Sequence, residues 1–449
     1  MKRRVIIVGS GFRGFCDAIN LMDRDDLEVT IIDSAPFFGG VMYSLEIKDF
    51  FVDKGVHIFD SIPVSLADVV SEIMQGQVHE IDFVSASAFN GKVTEGFSLP
   101  DLDSLDDEAV KEKIRQELLN LAADNPDQSG ASTLDELFTH RYGATASEIF
   151  GRIFDKVYGL KTTDVEPTAI AQTSMGRLKF LDDPEMLELK KDAWLDNVLA
   201  ARRKSMGKVD DLVSIYPSDG RAMRGWCEKA KLWLEAKGVK VELGVKISKI
   251  IETDDYVSVE TDHGTYEVEH IIWSNDTTDA LASALGIESN VDGKQHGTPM
   301  LFATLLTHED KIRDFTYLQN FDPDQITYRS AASGRFSHQR RDDGVSFVTC
   351  ECPAEIGGSR WNDPEGTALG VWEEIKRLGV VEKDAELVDF DMKRIPTTFK
   401  LAKLGYNSAF KDLSSEVSRK HDRVILRDVV PFFRRDIYLD SKHLSQVIA

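Results

Sequence analysis

Val5-Ile6-Ile7-Val8-Gly9-Ser10-Gly11-Phe12-Arg13-Gly14 is the stretch that decides the fold. Its four apolar residues read as a buried parallel strand. The glycines have the spacing G-x-G-x-x-G, and the pattern after them predicts a helix from Phe12 to about Met22. Asp25-Asp26 turns the chain and Val29-Thr30-Ile31-Ile32 reads as a second strand. Asp33 ends that strand, about 20 residues past the last glycine, as a dinucleotide fingerprint requires. Each part has a task. Gly9, Gly11 and Gly14 let backbone approach a pyrophosphate, whose charge meets the helix N-terminus. Asp33 can accept hydrogen bonds from a ribose diol. The fingerprint alone does not separate NAD from FAD. The pair Gly39-Gly40, close behind Asp33, lets backbone pass near the rest of an extended cofactor, or is a plain loop pair.

Composition narrows the function classes. The chain has 449 residues, which suggests about three domain-sized units. Hydrophobic residues make up 42% and charged residues 29%, an ordinary globular balance that needs no metal or disulfide staple. Net charge is −23, which argues against a nucleic-acid partner and against docking on anionic lipid. No apolar run approaches the ~18 residues of a membrane helix. Met1-Lys2-Arg3-Arg4 precedes only Val5 to Val8 before the glycines, too short for a signal peptide. Cys16, Cys227, Cys350 and Cys352 show no zinc spacing. Cys350 and Cys352 alternate along an expected strand with their thiols on one side. Reduced thiols and a cytoplasmic location are the expectation.

Val52-Asp53-Lys54-Gly55-Val56-His57-Ile58-Phe59 follows the glycine pair. With this segment in place, the chain resembles flavoproteins of the amine oxidase, protoporphyrinogen oxidase and UDP-galactopyranose mutase superfamily. Those proteins share the fingerprint, the acid, a glycine pair and a D-x-G-x-H-x-F-like segment. The resemblance implies FAD as cofactor, with His57 beside the flavin ring.

Later segments fit the same family. Tyr216-Pro217-Ser218-Asp219-Gly220 leads into a helix from about Met223 to Lys237, then to Gly238 through Ile247. The resemblance implies that backbone near Val245 meets the adenine. Phe138 to Gly143 and Lys156-Val157-Tyr158-Gly159 resemble the helical insert that ends in K-x-W/Y-G. Thr327-Tyr328-Arg329 and Val348-Thr349-Cys350-Glu351 resemble paired strands of the substrate domain. At the C-terminus, Arg423 to Leu426 reads as a strand, and Asp440 or Ser441 as the N-cap of a final helix aimed at the flavin. The intervening Arg427 to Arg435 has no glycine, unlike the family pattern.

The expected fold is α/β: a Rossmann-like FAD-binding domain (GR2-type) with an interleaved helical insert and an antiparallel-sheet substrate domain. The FAD-binding domain is expected to draw on residues 1–90, 205–290 and 420–449, the insert on 91–204 and the substrate domain on 291–419. Within the insert, Val110, Ile114, Leu118 and Leu121 form a helical stripe.

Basic residues stand out in this acidic chain. Arg329, Arg335, His338, Arg340 and Arg341 form one cluster; Arg434-Arg435 is a second. Arginine forks suit a diphosphate because they bond two oxygens at once. For Arg340-Arg341, followed by Asp342-Asp343, a solvated charged loop is the preferred reading. Glu351, in an otherwise apolar strand, either pairs with Arg329 or acts as a base. The tryptophans read as packing residues. The cofactor-binding set is thus Gly9, Gly11, Gly14, Asp33, Gly39, Gly40, Val245 and Asp440. His57, Arg329 and Arg435 are the catalytic candidates, and Tyr328, Arg329 and Tyr438 the substrate-binding ones. No metal is expected.

The mutase resemblance implies an enzyme acting on a nucleotide-activated sugar, in surface polysaccharide biosynthesis. Reduced flavin N5 would attack the anomeric carbon while Arg329 and Arg435 stabilise the departing nucleotide diphosphate. Two alternatives stay open: a flavin-dependent amine or protoporphyrinogen-type oxidase, and a flavin-fold scaffold without turnover. The partner is a nucleotide sugar or another small molecule; a homodimer is left open.

Overall fold

The computed structural model describes residues 2–82, 84–202, 211–427 and 433–448. Its chain divides into two units, one of Met1–Ile81, Lys208–Gly293 and Asn407–Ala449, the other of Asp82–Gly207 and Lys294–Tyr406.

In the first unit the strand Arg3–Val8 is central to a parallel five-stranded sheet. The order is Lys240–Leu243, Leu27–Asp33, Arg3–Val8, His270–Trp273, Val424–Leu426. Register places Val5 opposite Val29 on one side and His270 on the other. Ile6 and Ile7 are buried, as expected of a strand covered on both faces. The helix Phe12–Leu21 follows the glycine turn and buries Phe15, Cys16, Ala18 and Leu21, a stripe at helical spacing. Phe12, Phe15, Phe59 and Trp226 close an aromatic cluster with ring centroids 5.1–6.2 Å apart. Three small antiparallel sheets complete the unit among the described residues. One holds Ile247–Glu252, Val257–Thr261 and Gly264–Val268; a second holds Phe59–Pro63, Leu212–Pro217 and Val78–Glu80; the third pairs Leu45–Ile47 with Phe50–Val52.

A seven-stranded sheet organises the second unit. Its order is Asp389–Ile395, Met300–His308, Val345–Pro353, Arg329–Ala331, Tyr317–Asn320, Ser85–Phe89, Lys92–Glu95. Every pairing is antiparallel except that of Tyr317–Asn320 with Ser85–Phe89. Val345–Pro353 is buried along its whole length. Leu301, Val348, Cys350 and Cys352 pack with Val371, Trp372 and Ile375 of the helix Pro364–Arg377. The two thiols therefore share a face, as their alternation predicts. Met300, Tyr328 and Leu401 pack instead with the helical residues Phe154 and Tyr158. All four cysteines are free and buried.

The helix Leu134–Tyr158 breaks at Gly143, whose φ is +83°. A Cβ there would lie 2.5 Å from Glu117 Oε2. The same carboxylate accepts from Thr145 N at 2.9 Å and Thr145 Oγ1 at 2.8 Å. Glu117 thus caps the second half of a broken helix from a neighbouring one, Glu108–Asp124. On that neighbour the buried stripe is Lys111, Ile114 and Leu118. Lys111 is accommodated by its pairs with Asp103 and Glu108.

One expected element starts elsewhere. The helix expected from Asp440 or Ser441 begins at Arg434 and runs Arg434–Ser441, followed by a single turn, Leu444–Val447. Its N-cap is Phe433, which offers no side-chain cap. Asp440 sits in its last turn. Residues 428–432 of the glycine-free stretch lie outside the described residues. No helix among the described residues is long and apolar enough to cross a membrane.

Candidate functional site

The three fingerprint glycines serve different ends. Gly9 has φ +112°, and a Cβ there would come within 3.2 Å of Asn275 N. At Gly14 a Cβ would stand 1.8 Å from Gly9 O, so only glycine allows the helix to cross the strand so closely. Gly11 differs: a Cβ there meets nothing within 4 Å. It is the N-cap of the helix, which has no side-chain cap and no acid in its first turn. Its first N–H groups and the positive end of its dipole therefore remain for an anion.

Asp33 is held by this turn. Its Oδ2 accepts from Ser10 N and Ser10 Oγ, both at 2.7 Å, and its Oδ1 accepts from Ala35 N at 2.8 Å. A carboxylate has about four acceptor positions, so capacity is left for a diol. Gly39 donates its N–H to Ser10 O at 2.9 Å. A Cβ at Gly39 would clash with Cys227 Sγ, and one at Gly40 would lie 3.3 Å from Gly11 Cα. The glycine pair is thus laid on the glycine turn. Val245 is buried and donates its N–H to Asp33 O at 2.9 Å. An open, uncapped helix N-terminus beside a pre-oriented carboxylate and close-lying glycine backbone is a cradle that fits a dinucleotide.

In the same unit a polar cluster surrounds the D-x-G-x-H segment. Asp53 accepts from Ser44 Oγ at 2.5 Å, Tyr216 Oη at 2.6 Å and Met223 N at 3.3 Å. Burial pushes its carboxyl up to about 6 in spite of these donors. Arg434 Nη2 lies 3.3 Å from His57 Nδ1, and its guanidinium carbon lies 5.9 Å from the centroid of the Phe59 ring. Burial lowers Arg434 to about 10, with Asp53 and Asp60 pulling the other way. Arg434, rather than Arg435, is the arginine brought to His57. Arg435 is exposed and donates to Asp436 at 3.0 Å. One residue of helix turns a side chain by about 100°, and the inward place belongs to Arg434.

Tyr438 and Asp440 are also tied down. Tyr438 Oη is 3.3 Å from Ser65 Oγ, and Lys442 lies 4.5 Å from the centroid of its ring. Asp440 accepts from Arg13 Nη1 at 3.0 Å and from Arg427 Nη2 at 2.7 Å. It is an ion-pair node joining the helices Phe12–Leu21 and Arg434–Ser441, not a helix cap. The buried Asp17 stands 3.5 Å from the same Arg427.

The second unit holds its own polar cluster. Register sets Arg329 opposite Glu351 on adjacent strands. Arg329 Nε and Nη2 both reach Glu351 Oε1, at 2.8 and 2.6 Å. Tyr328 Oη accepts from Gln319 Nε2 at 3.0 Å, and Gln319 Nε2 also donates to Ser174 Oγ at 2.9 Å. Burial raises the hydroxyl of Tyr328, and raises that of Tyr158 further. Phe399 packs edge-on against both rings. Lys156 Nζ donates to Asn320 O and Thr327 O, both at 2.9 Å, closing the loop that precedes Tyr328. Burial lowers Lys156 to about 8. Gln319, Ser174 and Phe399 carry no local sequence signal; only register and packing reveal them. The other basic candidates have nearby partners: Arg335 donates to Ile312 O, Arg340 to Glu309, and Arg341 to Asp343.

Residues 7–73 match the NAD(P)-binding Rossmann-like domain family. No curated protein matches the chain by sequence. Solved structures share its fold. Reduced UDP-galactopyranose mutase aligns with a TM-score of 0.76 at 14% identity, over 100% of this chain and 94% of its own. A protein assigned as protoporphyrinogen oxidase, from Exiguobacterium sp. 255-15, gives 0.66 at 14% identity over 100% and 99%. Putrescine oxidase bound to putrescine gives 0.62 at 12% identity over 100% and 99%. The chain thus shares its fold with these proteins, and its N-terminal segment matches a dinucleotide-binding Rossmann-like domain.

Proposed function

We propose that this protein is an FAD-dependent enzyme acting on a nucleotide-activated sugar. The observation that carries the substrate class is Arg329, held by Glu351 through two nitrogens on one edge. Its Nη1 is not engaged by that pair, so the guanidinium stays oriented while keeping donors for a phosphate oxygen. Tyr328 next to it supplies an aromatic face and a hydroxyl fixed by Gln319. The shared fold of UDP-galactopyranose mutase supports this class among those that the fold serves.

For the cofactor, the first-turn N–H groups after Gly11 would hold the pyrophosphate and Asp33 the ribose diol. Gly39 and Gly40 would let backbone lie close to it, and Val245 backbone would meet the adenine. A bound flavin would supply electron-transfer and nucleophilic chemistry at its ring. This chain's residues bind, orient and exclude water. Arg329 is the group for the nucleotide diphosphate, and His57 the one for the flavin edge or the substrate beside it.

The test is a visible absorption spectrum of the purified protein, repeated after anaerobic reduction with a UDP-sugar added. The expected result is a flavin spectrum that shifts with the nucleotide sugar in the wild type and not in Arg329→Ala. A flavin spectrum blind to nucleotides overturns the substrate class and leaves an amine-type oxidase. A protein that takes up no flavin overturns the cofactor and leaves a scaffold.

A further inference from the structure

Arg434 and His57 meet through atoms whose chemistry allows only one arrangement. A guanidinium carries five N–H donors and no acceptor. His57 Nδ1, 3.3 Å from Arg434 Nη2, can therefore join this hydrogen bond only as a bare nitrogen with its lone pair available. The ring must then be neutral and carry its proton on Nε2, because an imidazolium or an Nδ1–H ring would set donor against donor.

The rest of the neighbourhood holds the arginine in place. Arg434 is the first residue of the helix Arg434–Ser441, lies against the Phe59 ring and makes no carboxylate ion pair among the described residues. Its Nε has no hydrogen-bond partner among them either. Asp53 and Asp60 attract it from beyond contact distance. Asp53 is occupied by Ser44, Tyr216 and Met223 N. The group that Arg434 bonds directly is the imidazole.

We propose that Arg434 is a positioning residue that locks His57 as the neutral Nε2–H tautomer, so that the D-x-G-x-H segment presents a hydrogen-bond donor, not a base. The ligand group this suits is an acceptor, such as a carbonyl oxygen or an unprotonated ring nitrogen. The proposal rests on the reading of His57 as a site residue. It assigns that residue polarisation rather than proton abstraction.

The experiment is 15N NMR of the imidazole rings in the full-length protein at neutral pH, labelled at histidine, with His57 assigned by its loss in His57→Gln. The wild type is expected to show a bare Nδ1 and a protonated Nε2. Arg434→Met should lose that single pattern to a tautomer mixture or an imidazolium. Arg434→Lys, which keeps a donor without an acceptor, should restore it. A wild-type ring protonated at Nδ1, or an unchanged ring in Arg434→Met, overturns the proposal. If Arg434→Met does not fold, the wild-type pattern and Arg434→Lys decide. The absorption spectrum of the same sample is a separate readout. A flavin-free protein with an Nε2–H ring keeps the tautomer and sinks the cofactor reading, while a flavoprotein with an Nδ1–H ring does the reverse.

Discussion

Arg329 and Arg434 are two sequestered guanidinium groups held in opposite ways. Arg329 lies in a sheet with Glu351 opposite, and two of its nitrogens share one carboxylate oxygen. Arg434 lies at the start of a helix, against an aromatic ring and a neutral acceptor, with no carboxylate in contact among the described residues. The first charge is compensated, and its pairing fixes an orientation. The second has no contacting carboxylate among the described residues and is offset only from a distance by Asp53 and Asp60, so its burial costs stability. Equal residue types in one chain can therefore do unlike work: one is an oriented fork, the other sets the state of a histidine.

The largest expected effect comes from breaking the compensated side. Glu351→Ala leaves Arg329 without its partner in a buried strand and should cost about 3–5 kcal/mol, read as a lowered denaturant midpoint. A loss below about 1 kcal/mol, the size of an exposed pair, would mean that Arg329 is effectively solvated and the contrast false.

Next is the acid cluster near Arg434. The Asp53 carboxyl is raised from 3.8 to about 6, mainly by burial. Between those values the native state holds a proton that the unfolded chain has lost, so stability falls as pH rises through this window. A shift of about two units corresponds to about 3 kcal/mol, absent below about pH 4 and fully developed above about pH 6. Asp53→Asn should flatten this slope in pH-dependent urea unfolding. An unchanged slope would show that Asp53 is not the group responsible.

Arg434→Met sharpens the comparison directly. No ion pair among the described residues is lost and a buried cation is removed, so stability should stay within about 1 kcal/mol or rise. Arg434 also favours the ionised form of Asp53, so the Asp53 window should move to higher pH. A destabilisation as large as that of Glu351→Ala would erase the distinction. The smallest effect belongs to Arg435→Ala. That side chain is exposed and, among the described residues, pairs only with its neighbour Asp436, so thermal unfolding should report a change within about 0.5 kcal/mol.

How much of this was legible depends on the range of the interactions. The glycine turn was, because Gly9 takes a positive φ, Gly14 packs on Gly9 O and Asp33 accepts from Ser10, all within one short stretch. Glu351 gave half a signal: an acid in an apolar strand needs a partner, but only register names it. Asp440 misled. An aspartate before a serine reads as a helix cap, yet this helix starts upstream at Arg434 after a residue that caps nothing. Lys156 clamps the carbonyls of Asn320 and Thr327, more than a hundred residues away in the chain. No local pattern announces such a contact.

The strand, glycine turn, helix, second strand and acid follow from the first forty residues alone, because hard-sphere limits on φ and close backbone packing act between neighbours. The choice of Arg434 over Arg435, the pairing of Arg329 with Glu351 and the capture of Asp440 by Arg13 and Arg427 do not follow from any window of sequence. Each depends on how far one element has turned or slid against another. A single residue of helix is about 100° of rotation, and a single residue of strand reverses the face.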